Sequence, residues 1–260
     1  MMPLKGKIVA ITGASSGIGA AMAKSFAERG ATVVLMARST AELEALAVRL
    51  PGPAYAVRLD VTSDESVAAA FAETAERAGS VDVLVNNAGF ARYGAVSDMS
   101  VKDYAAMMDV NYLGAVRCTK AVLPDMLERD TGHLVYTASI LGKIGSARAS
   151  AYAASKHALL GFVNSMRLEL AGTGIAVTAI NPGSVDTPFF GKADPGGAYA
   201  AKVKRFMLKP SEVAENAARA VERRMREVDL PAYARWGARL FGLWPGGYEK
   251  MAAKFLNKLR

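Results

Sequence analysis

The chain has 260 residues, of which 52% are hydrophobic and 22% are charged. This length and apolar content suffice for one sizeable core, so we expect a single domain. The lone cysteine, Cys118, excludes an intramolecular disulfide and a cysteine metal cluster, and it fits a reducing compartment. The chain has no apolar run of the ~18–20 residues that a membrane span needs and no signal-peptide pattern at its start, so we expect a cytoplasmic protein.

The net charge of +8 is unevenly distributed along the chain. Residues 1–201 carry 18 Lys and Arg against 18 Asp and Glu, whereas residues 202–260 carry 14 against 6. The excess positive charge therefore belongs to the C-terminal fifth of the chain, and its partner should be sought there.

Short apolar runs alternate with helix-length segments from residue 7 to residue 181. The runs are rich in Val and Ile without clean alternation, which is typical of strands buried on both faces. This alternation predicts an α/β fold with a doubly wound parallel sheet, the Rossmann type. The predicted strands are 7–12, 31–37, 54–60, 81–87, 132–138 and 174–181, and the predicted helices are 17–29, 40–50, 63–78, 100–128 and 150–171.

The remaining segments have weaker signals. Ser63 or Thr62 should cap helix 63–78, because an acidic first turn follows. Residues 183–210 are rich in Gly and Pro and predict a long loop that acts as a substrate lid. A helix over 211–226 with Ser211 as its cap and an edge strand within 226–233 should follow.

A glycine-rich turn, "TGASSGIG" at 12–19, follows the first predicted strand and opens the first helix. Gly13 permits a tight turn, Gly17 admits a pyrophosphate to the backbone, and Gly19 lets helix and strand pack closely. The alternative is an ordinary strand-to-helix turn, but its place between first strand and first helix favours a dinucleotide site. We expect Ser15, Ser16 and Ile18 to share in binding.

The end of the second strand predicts the cofactor. An acidic residue there would bind the ribose hydroxyls of NAD, but Ala37 and Arg38 occupy the place. Arg38 could instead pair with a 2′-phosphate, so NADP (NADPH) is preferred over NAD. The alternative is that Arg38 is a solvated charge at a helix start.

Several motifs together resemble one known family. "TGASSGIG", "NNAG" at 86–89 and "YAASK" at 152–156 are similar in order and spacing to the short-chain dehydrogenases/reductases. The resemblance covers residues 5–190, the expected cofactor and catalytic core. It implies a catalytic set of Asn111, Ser139, Tyr152 and Lys156. It also implies cofactor contacts from Asp60, Val61, Asn87, Ala88, Gly89, Tyr152, Lys156, Pro182, Gly183, Val185 and Thr187, and no metal.

The residues themselves support that chemistry. A free tyrosine has a pKa near ~10, too high for efficient base work at neutral pH. Tyr152 and Lys156 are four residues apart and share a helix face, so the ammonium would stabilise the phenolate. Ser139 follows a predicted strand, where open α/β sheets place their ligands. Asn111 falls inside a predicted helix despite its poor propensity, and a water held there could complete a proton relay.

Residues 234–260 predict a basic, amphipathic helical extension that contains both tryptophans. Trp236, Leu240 and Leu243 recur at helical spacing, as do Tyr248, Met251, Phe255 and Leu259. Three interpretations remain open: a subunit-packing or core-packing helix, peripheral contact with a membrane surface, and recognition of an anionic substrate or carrier. No nucleic-acid motif accompanies the charge.

The lid and extension resemble the hydroxysteroid-dehydrogenase branch of the family. That likeness implies a hydrophobic ketone or secondary alcohol, steroid-like, retinoid-like or long-chain, against Phe189, Phe190, Tyr199 and Ser139. The family also implies a homodimer or homotetramer. The expected function is an NADP-dependent oxidoreductase; the alternatives are a non-catalytic cofactor-binding regulator, an NAD-dependent alcohol dehydrogenase and a cofactor-recycling isomerase or epimerase.

Overall fold

The structure is a computed structural model and describes residues 2–194, 197, 203–247 and 250. Within these residues, helices cover both faces of a seven-stranded sheet of order β3-β2-β1-β4-β5-β6-β7. All strand pairs are parallel, so the predicted doubly wound α/β fold is confirmed, as is the edge strand in 226–233. The strands are β1 Ile8–Thr12, β2 Thr32–Ala37, β3 Ala54–Arg58, β4 Val83–Asn86, β5 Gly132–Thr137, β6 Ile175–Pro182 and β7 Glu227–Leu230.

The helices follow the predicted alternation, with shorter ends. The predicted helices 17–29 and 150–171 end two residues early, because Gly30 and Gly172 take left-handed backbone angles (φ 80° and 89°) that stop a helix. The α-helices of the described residues are α1 Gly17–Ala27, α2 Thr40–Ala47, α3 Asp64–Arg77, α4 Val101–Met108, α5 Gly114–Glu128, α6 Ser150–Glu169, α7 Phe189–Ala193, α8 Pro210–Glu222 and α9 Ala234–Leu243.

Two helix starts test the capping predictions. Ser63 caps α3, and its side chain accepts a hydrogen bond from the Ser66 backbone N–H at 3.1 Å. Ser211 was the wrong cap for α8. That helix starts at Pro210, whose fixed φ suits the first helical position, so Lys209 becomes the cap residue.

Two segments differ from prediction in kind. Helix 100–128 is interrupted by a π-helical turn, Asp109–Leu113, which separates α4 from α5. The segment 183–210 is not loop throughout, since it contains α7 and a 3₁₀ turn at Lys204–Phe206. A bridge between Val185 and Leu208 ties its two ends together. Whether the segment acts as a lid stays a prediction.

The core forms two layers, one on each face of the sheet. Alternate strand residues such as Ile11 and Leu35 pack with α1 and α8. Their neighbours, such as Ala10 and Val34, pack with α5 and α6. Both sets are fully buried, which explains why the strand sequences lack polar alternation. Cys118 of α5 belongs to the second layer, where burial raises the pKa of its thiol to about 12, as expected of a packing residue.

The described residues contain no helix with both the length and the apolar character needed to cross a bilayer.

A polar contact joins α1 to α8 at the rim of the first layer. Glu215 accepts hydrogen bonds from Ser25 Oγ at 2.8 Å and from Arg29 Nη2 at 2.7 Å. These hydrogen bonds and the Arg29 charge lower the pKa of Glu215 from its ordinary 4.5 to about 2. The contact therefore stabilises the fold only while Glu215 is ionised.

We expect acid to weaken this contact. A carboxyl whose pKa is lower in the folded protein contributes fully above pH 4.5 and loses that contribution as the pH falls toward about 2. The Glu215→Gln variant should therefore lose less unfolding free energy than the unmodified chain between pH 7 and pH 3, by roughly 1 kcal/mol, since a 45% exposed carboxylate is screened. Urea unfolding at both pH values measures this. Glu76→Gln, an exposed carboxylate on α3, is the control, and equal acid losses in all three proteins would contradict the assignment.

Candidate active site

The four predicted catalytic residues lie together at the carboxyl edge of the sheet. Ser139 follows β5, Tyr152 and Lys156 lie in the first turns of α6, and Asn111 lies in the π turn. All four are at most 8% exposed. The fold therefore brings together side chains that lie up to 45 positions apart in the chain.

Both polar atoms of the Asn111 side-chain amide make hydrogen bonds. Its Oδ1 accepts from the Phe90 N–H at 2.9 Å, and its Nδ2 donates to Phe90 O and to Ser155 Oγ, both at 2.9 Å. Ser155 Oγ in turn donates to Tyr152 O at 2.8 Å. The π turn is closed by a hydrogen bond from the Gly114 N–H to Asp109 O, and it widens the helix at this point. This local departure from α-helical geometry accommodates Asn111, a residue of poor helix propensity. Asn111 thus connects the chain after β4 to the tyrosine turn of α6, and the water relay stays a prediction.

Tyr152 and Lys156 share the helix face that the spacing predicted. The Lys156 ammonium lies 5.7 Å from the centroid of the Tyr152 ring. Lys156 Nζ donates to Thr137 O, at the end of β5, at 2.7 Å. Burial lowers the pKa of Lys156 to about 8, so the ammonium form still predominates at neutral pH. A buried cation is thereby held close to a phenol.

Ser139 opens a 3₁₀ turn, Ile140–Gly142, at the end of β5. Its Oγ accepts from the Leu141 N–H at 3.1 Å and donates to Pro182 O at 3.3 Å. Those contacts place the hydroxyl between the ends of β5 and β6, on the edge that carries Tyr152.

The glycine-rich turn forms a cradle that side chains would fill. A Cβ on Gly13 would lie 2.8 Å from the Ala88 Cα, and Gly13 takes φ 66°. A Cβ on Gly19 would lie 2.3 Å from Gly13 O. Ser16 is the cap residue of α1, yet its side chain makes no capping hydrogen bond. The turn therefore leaves the amino end of α1 open to an anionic group.

Asn87 stabilises this turn from the end of β4, and its contact with the cofactor stays a prediction. Its Nδ2 donates to Thr12 O at 3.0 Å. Thr12 Oγ1 accepts from the backbone N–H groups of Asn87 and Ala88, at 3.0 and 2.9 Å. This role of Thr12 was not predicted, although a threonine that ends a buried strand directly before the glycine turn was a usable signal.

Arg38, Asp60 and Val61 lie beyond the second and third strands. Arg38 is exposed directly after β2. The Asp60 carboxylate accepts from the N–H and hydroxyl of Thr62, and these bonds, aided by the charges of Arg38 and Arg58, lower its pKa. The Arg38 charge is thus close enough to Asp60 to contribute to the lowered pKa of that carboxyl. Val61 packs against Gly114, where a Cβ would lie 2.7 Å from Val61 Cγ2.

The last group of predicted cofactor contacts begins at the end of β6 with Pro182 and continues through Gly183, Val185 and Thr187, which brings the chain back to the glycine turn. A Cβ on Gly17 would lie 3.3 Å from the Thr187 side chain, so Thr187 borders the cradle. Gly183 N–H donates to Leu230 O at 2.6 Å, which attaches this segment to β7. Val185 is buried, and its carbonyl accepts from Thr187 Oγ1 at 3.4 Å.

Aromatic rings surround Tyr152. Its ring centroid lies 5.8 Å from Phe189 and 6.3 Å from Tyr93, and Phe190 lies 6.4 Å from Tyr93. Phe189 and Phe190 begin α7, and their contact with a substrate stays a prediction, whereas the predicted Tyr199 lies outside the described residues. Tyr93 was not predicted, because no local pattern shows that the chain after β4 reaches α7.

An ionic cluster supports the serine turn. Lys143 Nζ lies 2.9 Å from Glu227 Oε1 and 2.5 Å from Asp229 Oδ1, two carboxylates of β7. Asn181 Nδ2 donates to the same two oxygens, each at 2.8 Å. This cluster was not predicted, because its members lie on three separate elements and no local sequence pattern connects them. It fixes the residue that follows the Ser139 turn against the edge strand.

Comparison with known proteins agrees with this arrangement. A family model described as short chain dehydrogenase matches residues 7–196. The mouse (Mus musculus) dehydrogenase/reductase SDR family member 7B is 39% identical over an alignment of 269 positions, which covers 99% of this chain and 83% of that protein.

Solved structures show the same fold. A short-chain dehydrogenase/reductase from Burkholderia phymatum, in complex with NAD, is 26% identical with a TM-score of 0.83, over 94% of this chain and 96% of that one. An alcohol dehydrogenase from the archaeon Thermococcus sibiricus, complexed with 5-hydroxy-NADP, is 30% identical with a TM-score of 0.76, over 87% and 96%. Because the family model spans well over half of the chain and the relatives cover most of it, the chain belongs to the short-chain dehydrogenase/reductase family of oxidoreductases.

Proposed function

We propose that the chain is an NADP(H)-dependent oxidoreductase that interconverts a hydrophobic ketone and its secondary alcohol, with Tyr152 as the acid–base. One observation carries the proposal: a buried lysine ammonium lies 5.7 Å from the ring of a buried tyrosine, at the edge that holds an open glycine cradle. An ordinary surface helix pair would leave both side chains in water, where the ammonium would do little for the phenol.

The cradle fits a dinucleotide. Gly13 and Gly19 let the turn pack closely against neighbouring backbone, Gly17 does the same against the Thr187 side chain, and the amino end of α1 can receive a pyrophosphate. Asp60 and Val61 would flank the adenine, and Asn87, Ala88 and Gly89 its ribose. Pro182, Gly183, Val185 and Thr187 would border the nicotinamide. When bound, NADPH supplies the hydride for a carbonyl carbon.

The chain's own residues would manage the proton. The Tyr152 hydroxyl donates a proton to the substrate oxygen during reduction and takes it back during oxidation. The Lys156 ammonium stabilises the resulting phenolate, and its bond to Thr137 O keeps it in place. Ser139 Oγ would exchange its 3.3 Å bond to Pro182 O for one to the substrate oxygen. Asn111 fixes the tyrosine turn through Ser155.

The rings of Tyr93, Phe189 and Phe190 support an apolar substrate. They form a wall beside Tyr152, and a polar substrate would lose water there without replacement hydrogen bonds from the rings. A ketone with an apolar body would bury its carbon skeleton against them and direct its oxygen toward Ser139 and Tyr152.

Tyr152→Phe should reduce NADPH-dependent turnover by ~10²- to 10⁴-fold, because the variant cannot transfer the proton. NADPH binding, measured by cofactor fluorescence, should stay near that of the unmodified chain. The assay is NADPH oxidation over carbonyl compounds of graded hydrophobicity. Tyr55→Phe, on β3, is the control, and a Tyr152→Phe variant that retains full activity would refute the acid–base role.

Arg38→Ala should weaken NADPH binding by roughly 10- to 100-fold, because a charged pair with the 2′-phosphate is lost. NADH binding should change by less than about threefold, since NADH lacks that phosphate. Cofactor fluorescence titration measures both without any substrate. Arg49→Ala, an exposed arginine beyond the opposite end of α2, is the control. If the unmodified chain binds NADH more tightly than NADPH, the NADP assignment is wrong. The alternative of an NAD-dependent dehydrogenase would then be preferred.

Gly19→Ala should weaken the binding of both cofactors by more than about tenfold. The new Cβ would lie 2.3 Å from Gly13 O and 2.6 Å from Asn87 Nδ2, so the cradle must shift. The same titration measures the loss, and circular dichroism checks that the variant folds. Gly237→Ala, where a Cβ meets no atom within 4 Å, is the control. Undiminished binding by a folded Gly19→Ala variant would remove the cradle from the cofactor site.

A further inference from the structure

The C-terminal helix α9 carries its apolar side chains outward. Trp236 is 62% exposed, Leu240 44%, Leu243 86% and the following Trp244 67%, and Tyr233 before the helix is 70% exposed. No residue of α9 is buried. Five of the thirteen exposed large hydrophobic side chains of the described residues therefore fall within twelve consecutive positions. A patch of this density on a surface marks a binding face.

The opposite face of α9 is the one in contact with the protein. Ala234, Ala238 and Phe241 are half-buried, and they repeat at helical spacing. α9 thus rests on the domain through mostly small side chains and presents its large ones to solvent. The usual surface helix has the reverse arrangement, with its large apolar side chains toward the core.

Arginines border the exposed apolar face. Arg235 and Arg239 place their guanidinium carbons 5.7 and 5.2 Å from the centroid of the Trp236 ring. Residues 231–260 carry six Lys and Arg against one acidic residue, Glu249, although Glu249 and the residues from 251 onward lie outside the described part of the chain. An exposed apolar face with tryptophan, bordered by arginines in a segment of net positive charge, matches an anionic lipid surface.

The position of α9 relates this face to the active-site edge. Leu230, the last residue of β7, accepts from Gly183 N–H at 2.6 Å, and Ser139 Oγ donates to Pro182 O at 3.3 Å. α9 begins four residues after Leu230. Arg235 and Arg239 also line a groove of about 200 Å³ with Lys143, Glu227 and Asp229, just beyond the Ser139 turn. The exposed face is therefore carried by the carboxyl edge of the sheet, next to the catalytic turn.

We propose that α9 is a peripheral membrane-docking helix, which inserts Trp236, Leu240, Leu243 and Trp244 into the interface of an anionic bilayer while Arg235 and Arg239 contact lipid phosphates. Docking holds the carboxyl edge of the sheet close to the lipid. An apolar substrate dissolved in the bilayer then reaches the aromatic wall without crossing bulk water. The docking itself does not depend on the proposed reaction.

Vesicle co-sedimentation of the full chain tests the proposal. The probes are phosphatidylcholine vesicles with and without about one-third phosphatidylserine, at low and high salt. The chain should sediment with the anionic vesicles, less with the neutral ones, and less with the anionic ones at high salt, because salt screens the attraction between basic side chains and anionic lipid. Failure to sediment with either vesicle would overturn the proposal, whatever the enzyme assays show.

Two double variants assign the binding to α9. Trp236→Ala with Trp244→Ala should reduce binding to anionic vesicles by more than about tenfold, through lost apolar insertion. Arg235→Gln with Arg239→Gln should reduce it by roughly ten- to thirtyfold and flatten its salt dependence. The matched control, Val48→Ala with Arg49→Gln, removes an 88% exposed apolar side chain and an exposed arginine directly after α2 and should bind like the unmodified chain.

Three results would contradict the assignment. Both α9 variants could bind like the unmodified chain, which would place any lipid contact elsewhere. The control could lose as much binding as they do, which would make the effect nonspecific. The unmodified chain could fail to bind vesicles while the tryptophan variant elutes from size exclusion as a smaller species than the unmodified chain. That result would make this face a contact between two copies of the chain. Thermal unfolding of each variant confirms that it is folded.

Discussion

A parallel sheet buried on both faces has room for polar chemistry only where its strands end. Here the two core layers exclude solvent from the body of the sheet, and alternate strand residues are fully buried on either side. Strands that run in one direction place all their carboxyl ends on one edge. Thr12, Asn87, Ser139 and Pro182 meet at that edge for this reason, and the glycine cradle and the tyrosine helix can meet there too.

Lys156 shows what this arrangement costs. A buried ammonium loses its hydration, and the lowered pKa of about 8 records that loss. Close approach of backbone offsets part of it, because the ammonium bonds to Thr137 O. Gly142 makes room for the lysine turn, since a Cβ there would lie 2.8 Å from Lys156 O. The position of the lysine therefore depends on close backbone packing as well as on charge.

The edge strand connects the catalytic turn to the C-terminal segment. Glu227 and Asp229 on one face of β7 hold Lys143, next to the Ser139 turn, while the end of the same strand leads into α9. An interaction at α9 therefore acts on a strand that is already paired with the catalytic edge. This arrangement places Arg235 and Arg239, two basic residues of the positively charged C-terminal fifth, beside Lys143 and the catalytic turn.

Local sequence determined the sheet, most helix positions and the residues of the candidate site. Strand burial on both faces is visible in unbroken Val and Ile runs, and the glycine spacing and the Tyr152–Lys156 pair are short-range patterns that a helix or a turn expresses directly. Tertiary structure alone decided the π turn at Asn111, the Thr12 and Ser155 hydrogen bonds, the Tyr93 ring beside Tyr152 and the Lys143 cluster. Most of these features join residues from different strands and helices, and no single stretch of sequence records which distant side chain will satisfy a buried polar group. The outward face of α9 has the same explanation, since its periodicity predicted an amphipathic helix but only packing decided which side faces the protein.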